Sequence, residues 1–514
     1  MCGQSLWSIA LTALVVKANV IVDDSTCHRN KAQHICEPVD LCEHNYNFGD
    51  VNSDQSCRVK RGVNFYPQQI HLAFAGKKVG TAMTVSWATF EEVTDSSVWV
   101  GKSNDTLELV DTPVSSLSYY HDKEYNLFHH HATVTGLKPH TKYFYKVGSS
   151  SDNEYTSDVS TFVTAHPATK DSSSSMLIYG DLGDGKNSAN TIANINKLTS
   201  DDIDLVYHLG DISYADSAFK RLKQAAGFFY EEVYNKWMNM LMPLMSRVPY
   251  MVLVGNHEAE CYSPKCQISR QKRQALGNYT AYNTRFKMPC EESGGTLNMW
   301  YSFDHGPIHF ASLSSETDYP AAPTNEYTKR VKNGNFGDQL KWIEADLEKA
   351  NANRAKVPWV FVGMHRPVYS VFNSVPNGEP DGETANIQRA FETLLLKYKV
   401  DVVLTGHKHY YERELPLAKN KAVMDGVSDD YKLYNNPRAP VHIITGGAGQ
   451  VEGLSKAPNN AASLNAASEY EHFGYLMLNA TRTTLSWKYI RSSDQSIADA
   501  FVICKNDTLA ANLE

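Results

Sequence analysis

Five short, strongly apolar runs in this chain each stop at a polar cluster able to bind a metal, and this repetition constrains the fold more than any other feature. Met176–Tyr179 ends at Gly180-Asp181, Leu205–Leu209 at Gly210-Asp211, and Tyr250–Val254 at Gly255-Asn256-His257. Trp359–Val362 ends at Gly363-Met364-His365, and Val400–Leu404 at Thr405-Gly406-His407. Short apolar runs of this kind read as strands buried on both faces. Helical patterns lie between them, as in Gly337–Leu347 and Ile387–Tyr398. Alternating buried strands and helices imply an α/β sheet with helices on its faces. Ligands of such sheets gather beyond the carboxyl ends of the strands, and all five clusters stand there.

The clusters offer Asp181, Asp211, Tyr214, Asn256, His365, His407 and His409. Oxygen and nitrogen donors without thiolate suit Fe, Mn or Zn better than a thiophilic metal. A lone Gly-Asp is usually a turn, and a lone Gly-His-x-His can be a pair of surface histidines. Five such pieces, each after an apolar strand, argue for a common site. One carboxylate can bridge two ions, and two-metal sites activate a water and clamp phosphoryl oxygens during an in-line displacement.

The flanks differ in character. Residues 62–166 read as short strands, among them Thr84–Trp87, Ser97–Val100 and Tyr143–Val147, punctuated by turns such as Gly136-Leu-Lys-Pro139. That pattern implies an antiparallel β-sandwich, and polar residues 167–175 read as a linker between it and the α/β part. Residues 1–18 read as a signal peptide, with an apolar stretch Ser5–Val16 too short to span a bilayer and a small residue at Ala18. No later stretch is long and apolar enough to span a membrane, and the polar end of the chain offers no lipid-anchor or retention signal. Of the nine cysteines, removing Cys2 with the signal leaves an even set; Cys27, Cys36, Cys42 and Cys57 crowd a cysteine-rich segment, 19–61, read as disulfide-stapled. Sequons at Asn104, Asn278, Asn479 and Asn506 agree with a secreted glycoprotein. The expected location is extracellular, with vacuole and cell wall as the other compartments. A net charge of −8 argues against nucleic acid as a partner.

The five clusters, read in order, are Gly180-Asp-Leu-Gly183, Gly210-Asp-Ile-Ser-Tyr214, Gly255-Asn-His-Glu258, Val362-Gly-Met-His365 and Gly406-His-Lys-His409. This set resembles the purple acid phosphatases of the metallophosphoesterase superfamily. The resemblance extends over roughly residues 62–505, through the sandwich and the stretch around Gly446-Gly-Ala-Gly449. It implies an α/β metallophosphoesterase sandwich at 172–505, with a C-terminal subdomain from about 438 to 505, preceded by an all-β fibronectin type III-like domain at 62–166. It further implies a ferric ion, Fe(III), on Asp181, Tyr214 and His409, and a divalent ion (Zn, Fe or Mn) on Asn256, His365 and His407. Asp211 would bridge them. Tyr214 would be the phenolate that colours the ferric site. His257 would face the substrate phosphate as hydrogen-bond donor or general acid. The plant members' further substrate-facing histidines have no counterpart in His365–Asn373, which leaves the second acid–base group unassigned. Arg366 is cationic and adjacent, and reads equally as a phosphate ligand or as half of a structural ion pair. Tyr411, Glu412 and Arg413 would support the ligands from behind.

The activity implied is hydrolysis of phosphate monoesters, small or polymeric, by attack of a metal-held hydroxide at acidic pH. A phosphodiesterase of the same superfamily is the first alternative, and Tyr214 argues against it. A secreted binding protein without activity is the second, and the intact ligand set argues against that. Sequence alone leaves the physiological substrate, the disulfide pairing and the oligomeric state open.

Overall fold

The computed structural model describes residues 65–506, apart from 120–126, 218–229, 260, 262, 324–332, 372–379, 381 and 457–463, together with a strand pair, Arg29–Asn30 and Ile35–Cys36. The expected signal peptide and the stapling of segment 19–61 lie outside these residues.

The first domain is all-β. Strands β1 (Gln68–Ala75), β2 (Ala82–Thr89), β3 (Ser96–Gly101), β4 (Glu108–Leu109), β5 (Val114–Leu117), β6 (Phe128–Thr135), β7 (Lys142–Ser149) and β8 (Ser160–Val163) form two antiparallel sheets, ordered β1-β2-β6-β5 and β8-β7-β3-β4. Alternation explains the pairing: Val85, Trp87, Val98, Tyr145 and Val147 point inward and are buried.

The second domain stacks two mixed sheets. One runs β11 (Tyr250–Val252), β10 (Leu205–His208), β9 (Ser174–Tyr179), β21 (Gly474–Ala480), β22 (Thr484–Arg491), β23 (Ile497–Cys504) and β18 (Leu433–Asn435). The other runs β12 (Tyr301–His305), β13 (Ile308–Ser312), β14 (Trp359–Gly363), β15 (Val402–Thr405), β19 (Val441–Thr445), β16 (Tyr411–Ala418) and β17 (Lys421–Ala422), with β20 (Asn465–Glu469) on the far side of β16. The strands that carry the clusters run parallel, β9 to β10 to β11 in one sheet and β14 to β15 in the other. Aromatic side chains join the inner faces. Phe361 stacks on Trp487 at 5.8 Å, Tyr411 on Tyr489 at 4.2 Å, and the Tyr207 ring meets Phe310 edge-on at 5.5 Å. Helices α1 (Ala189–Ile195) and α2 (Tyr230–Met245) lie with the first sheet; α3 (Gln339–Ala352) and α4 (Gly382–Lys397) bury Ile343, Leu347, Ile387 and Phe391 on the second.

Pattern alone implied a sheet with helices, and the molecule has two. Strands buried on both faces lack the period-two signal that would assign them to one layer or the other. The expected linker also ends early, because Ser174 and Ser175 enter β9, where Ser175 pairs with Asn479 of β21. Backbone pairing there overrides the polar composition. Arg413 and Tyr411, which the resemblance implied as support for the ligands, join the two sheets: both bond Asp499 on β23, Arg413 at 2.7 and 3.1 Å and Tyr411 at 2.8 Å. Asn104, Asn479 and Asn506 are exposed, whereas Asn278 is half-buried and its amide bonds the backbone of Gly334. Among the described residues Cys261 and Cys266 form a disulfide.

A buried polar network docks the two domains. Arg285, fully buried, donates to Glu231 Oε2 (2.7 Å), to Asn235 Oδ1 (2.8 Å) and, across the interface, to Gln69 Oε1 (3.1 Å) and the Tyr119 hydroxyl (2.9 Å). Removing one half of a buried ion pair typically costs about 3–5 kcal/mol because the other charge is stranded. Arg285→Met is therefore expected to lower unfolding stability by that amount in denaturant melts. A loss in the range of an exposed pair, under about 1 kcal/mol, would show that Glu231 finds another partner.

Candidate metal centre

Every candidate ligand lies just beyond a strand end, and the two sheets contribute from opposite sides. Asp181 follows β9, Asp211 and Tyr214 follow β10, and Asn256 follows β11, all from the first sheet; His365 follows β14, and His407 and His409 follow β15, from the second. The backbone is strained where it delivers them. Asp181, Asp211, Tyr214 and His407 all have positive φ, of 60°, 50°, 56° and 66°. Side chains other than glycine rarely adopt that region, least of all an aromatic one, and such strain persists where surrounding structure enforces it, commonly at functional sites. Two glycines allow the close approach: a Cβ on Gly406 would stand 2.5 Å from Asp181 Oδ2, and one on Gly210, whose φ is +81°, 2.8 Å from His365 Nδ1.

The side chains converge as two groups sharing Asp211. In the first, the Tyr214 hydroxyl is 3.1 Å from Asp181 Oδ1, 3.4 Å from Asp211 Oδ2 and 3.3 Å from His409 Nε2. In the second, His365 Nε2 is 3.1 Å from Asp211 Oδ2 and 3.2 Å from Asn256 Oδ1. Ligating atoms of Asp211, His365 and His407 all lie within 4.8 Å of one another. The donor chemistry fits cations. His365 Nδ1 donates to the Leu209 carbonyl at 2.8 Å, which leaves Nε2 aimed at two oxygen acceptors. Only a proton or a metal between them makes that arrangement favourable. Burial alone would lower the His365 pKa, yet Asp211 and Asp181 push it up to about 9, a measure of how negative the pocket is. Burial, Asp181 and Asp211 likewise hold the Tyr214 phenol well above its ordinary pKa, so ionising it needs a cation beside it.

A supporting layer surrounds these groups, and part of it has no signal in the five clusters. Glu258, the last residue of the Gly255-Asn-His-Glu cluster, accepts from the backbone N–H groups of Asp211 (2.9 Å), Ile212 (2.8 Å) and Gly255 (2.8 Å), clamping the β10 and β11 loops together. Burial and Asp211 push its pKa up to about 8. His257 donates its backbone N–H to Asp211 Oδ1 (2.8 Å), and its Nδ1 sits 2.9 Å from both oxygens of buried Asp216. Its Nε2 faces the centre, 3.9 Å from Asp211 Oδ2. Arg366 is buried and bound to Glu316 through Nε (2.9 Å) and to Glu383 through Nη1, which also lies 3.3 Å from His407 Nε2. Asp216 and Glu316 belong to none of the five clusters. The only cue was the acidic side chain two residues beyond Tyr214.

The chain is similar to known phosphatases along most of its length. The family model for the purple acid phosphatase N-terminal domain matches residues 67–164, that for calcineurin-like phosphoesterases matches 175–411, and that for an iron/zinc purple acid phosphatase-like protein C matches 439–500. Purple acid phosphatase 22 of Arabidopsis thaliana is 30% identical over 438 residues, covering 84% of each chain. An acid phosphatase of Aspergillus ficuum is 28% identical over 481 residues, covering 74% of this chain and 76% of its own. The solved structure of a purple acid phosphatase from yellow lupin (Lupinus luteus) seeds shares the fold with a TM-score of 0.67 and 22% identity, over 87% of this chain and 76% of the lupin chain.

Proposed function

From its membership of the purple acid phosphatase family, to which this chain belongs, we propose that it is a secreted phosphatase of phosphate monoesters working through a pair of ions, one ferric and one divalent. The observation that carries this reading is the sharing of Asp211 between the two donor groups. Asp181, Tyr214 and His409 would hold Fe(III); Asn256, His365 and His407 would hold Zn, Fe or Mn; Asp211 would touch both. Ions held there supply Lewis-acid activation of the attacking water and charge stabilisation at phosphorus. The chain's own residues do the rest. Asp216 holds His257 at Nδ1, with Nε2 3.9 Å from Asp211 Oδ2, and from there Nε2 would donate to the departing group. Glu258 keeps the two ligand loops in register. Arg366 contacts phosphate in this reading by exchanging its exposed partner Glu383 for the substrate while Glu316 holds its other edge.

Colour tests the ferric assignment directly. Purified protein is expected to be purple or pink, and Tyr214→Phe is expected to bleach it while leaving the far-UV circular dichroism intact. Iron-containing protein without visible absorbance would overturn the assignment of Tyr214. Secretion is tested separately, by fusing residues 1–18 to a reporter and measuring its export.

A further inference from the structure

Three histidines of the first domain are buried against segment 284–287 of the second. His71 lies on β1, and His129 and His131 on β6; each is 3% exposed. His131 Nε2 donates to the Thr284 carbonyl across the interface (2.9 Å), and its Nδ1 accepts from Ser86 Oγ (2.7 Å). His71 Nδ1 donates to the Gln69 carbonyl (2.7 Å), and its ring edge meets Phe286 at 5.2 Å. His129 stacks on Tyr119 at 5.7 Å, and the Tyr119 hydroxyl bonds Glu231 (2.7 Å) and Arg285 (2.9 Å).

The charges around them are mostly positive. The charge of Arg285 acts on His71 and His129, that of Lys287 on His131, and the buried neighbour His130 on His129 and His131, while the backbone of Gln69 and Arg285 favours the proton on His71 and that of Thr284 favours it on His131, both outweighed by burial. The facing carboxylate, Glu231, is already engaged by Arg285 and Tyr119. Among the described residues no carboxylate is bonded to any of the three rings. A proton on any of them therefore adds a like charge beside Arg285 or Lys287 in a dry interface, and on His131 it also abolishes the acceptor that Ser86 uses. We propose that His71, His129 and His131 form an acid-labile catch, holding the β-sandwich on the catalytic domain while neutral and releasing it when protonated.

The direction comes from burial. It pulls His71 down to about 4, His131 to about 3 and His129 well below its ordinary value. Released rings titrate near about 6.5. Docking is thus fully supported above that pH and weakens as pH falls from there towards the docked values, by about tenfold in the docking constant per histidine per pH unit. For a chain of the acid phosphatase family, this places the lower edge of the usable pH range at an interface whose three rings bond no candidate metal ligand.

The test uses full-length, metal-loaded protein between pH 7 and 4. Its folding constant is measured by denaturant titration at each pH, and its radius of gyration by small-angle scattering. The radius is expected to rise through the acid transition. His71→Gln, His129→Gln and His131→Gln are each expected to reduce the slope of the logarithm of the folding constant against pH by about one, whatever they do to its absolute value. Lys287→Gln, at a half-exposed position, should move the acid transition to lower pH by relieving His131. Unchanged slopes in the histidine variants overturn the catch even if those variants are less stable. A transition with no increase in radius overturns release of the sandwich.

Discussion

Asp211→Asn should empty both ion positions and reduce phosphatase activity by well over a hundredfold. Loss of a partner that merely orients a ligand already costs about 10- to 100-fold in affinity or activity, and Asp211 stands closer to the chemistry than that. Its Oδ2 is within 3.4 Å of the Tyr214 hydroxyl and 3.1 Å of His365 Nε2, while Oδ1 accepts the backbone N–H of His257 at 2.8 Å. An amide in its place keeps one oxygen but offers an N–H to either a cation or an N–H donor. Asn256→Ala and His407→Ala touch one group each, so they should deplete the divalent ion and spare iron. Metal analysis by mass spectrometry alongside kcat separates the cases. If Asp211→Asn kept two metals and wild-type turnover, the two donor groups would not share a bridge.

What could be read from the chain, and what could not, divides along sequence distance. The convergence of Asp181, Asp211, Asn256, His365 and His407 was legible because each follows an apolar strand within a few residues, and strand ends converge in this architecture whatever the rest of the chain does. Tyr214 and His409 stand so near their neighbours that local turns alone bring them in. The layers were less legible: nothing in Leu205–His208 or Ile308–Ser312 says that Tyr207 will meet Phe310 across two stacked sheets. The supporting carboxylates were harder still. Glu316 reaches Arg366 from 50 residues away, and no local pattern encodes a contact of that range. The Arg366 alternatives therefore stayed open at the level of sequence, and the structure supplies the ion pairs with Glu316 and Glu383. Tyr411 and Arg413, which the resemblance suggested as ligand supports, find their bonding partner elsewhere. Strand alternation turns them inward, to Asp499 on the other sheet.

His257→Ala should keep both ions and the colour yet lower kcat by about a hundred- to ten-thousand-fold, the usual contribution of a positioned acid or base. The structure gives His257 the attributes of a donor. Burial opposes its charge, but Asp216, bonded to Nδ1, raises its pKa, which favours the protonated ring on the acid side. Asp216 occupies Nδ1, which leaves the Nε2 proton to face the centre. The loss should depend on the leaving group. A nitrophenolate departs with little need of a proton, so p-nitrophenyl phosphate should suffer least and alkyl phosphates most. Asp216→Asn should reproduce the trend at smaller amplitude, because it relaxes the orientation of the ring without removing it. An equal loss for every ester would recast His257 as a group that positions phosphate, and loss of metal would make it a brace for Asp211, whose Oδ1 its backbone holds. Unchanged turnover of alkyl phosphates would remove His257 from the chemistry altogether, and the proton would have to come from the side of Arg366 and Glu383.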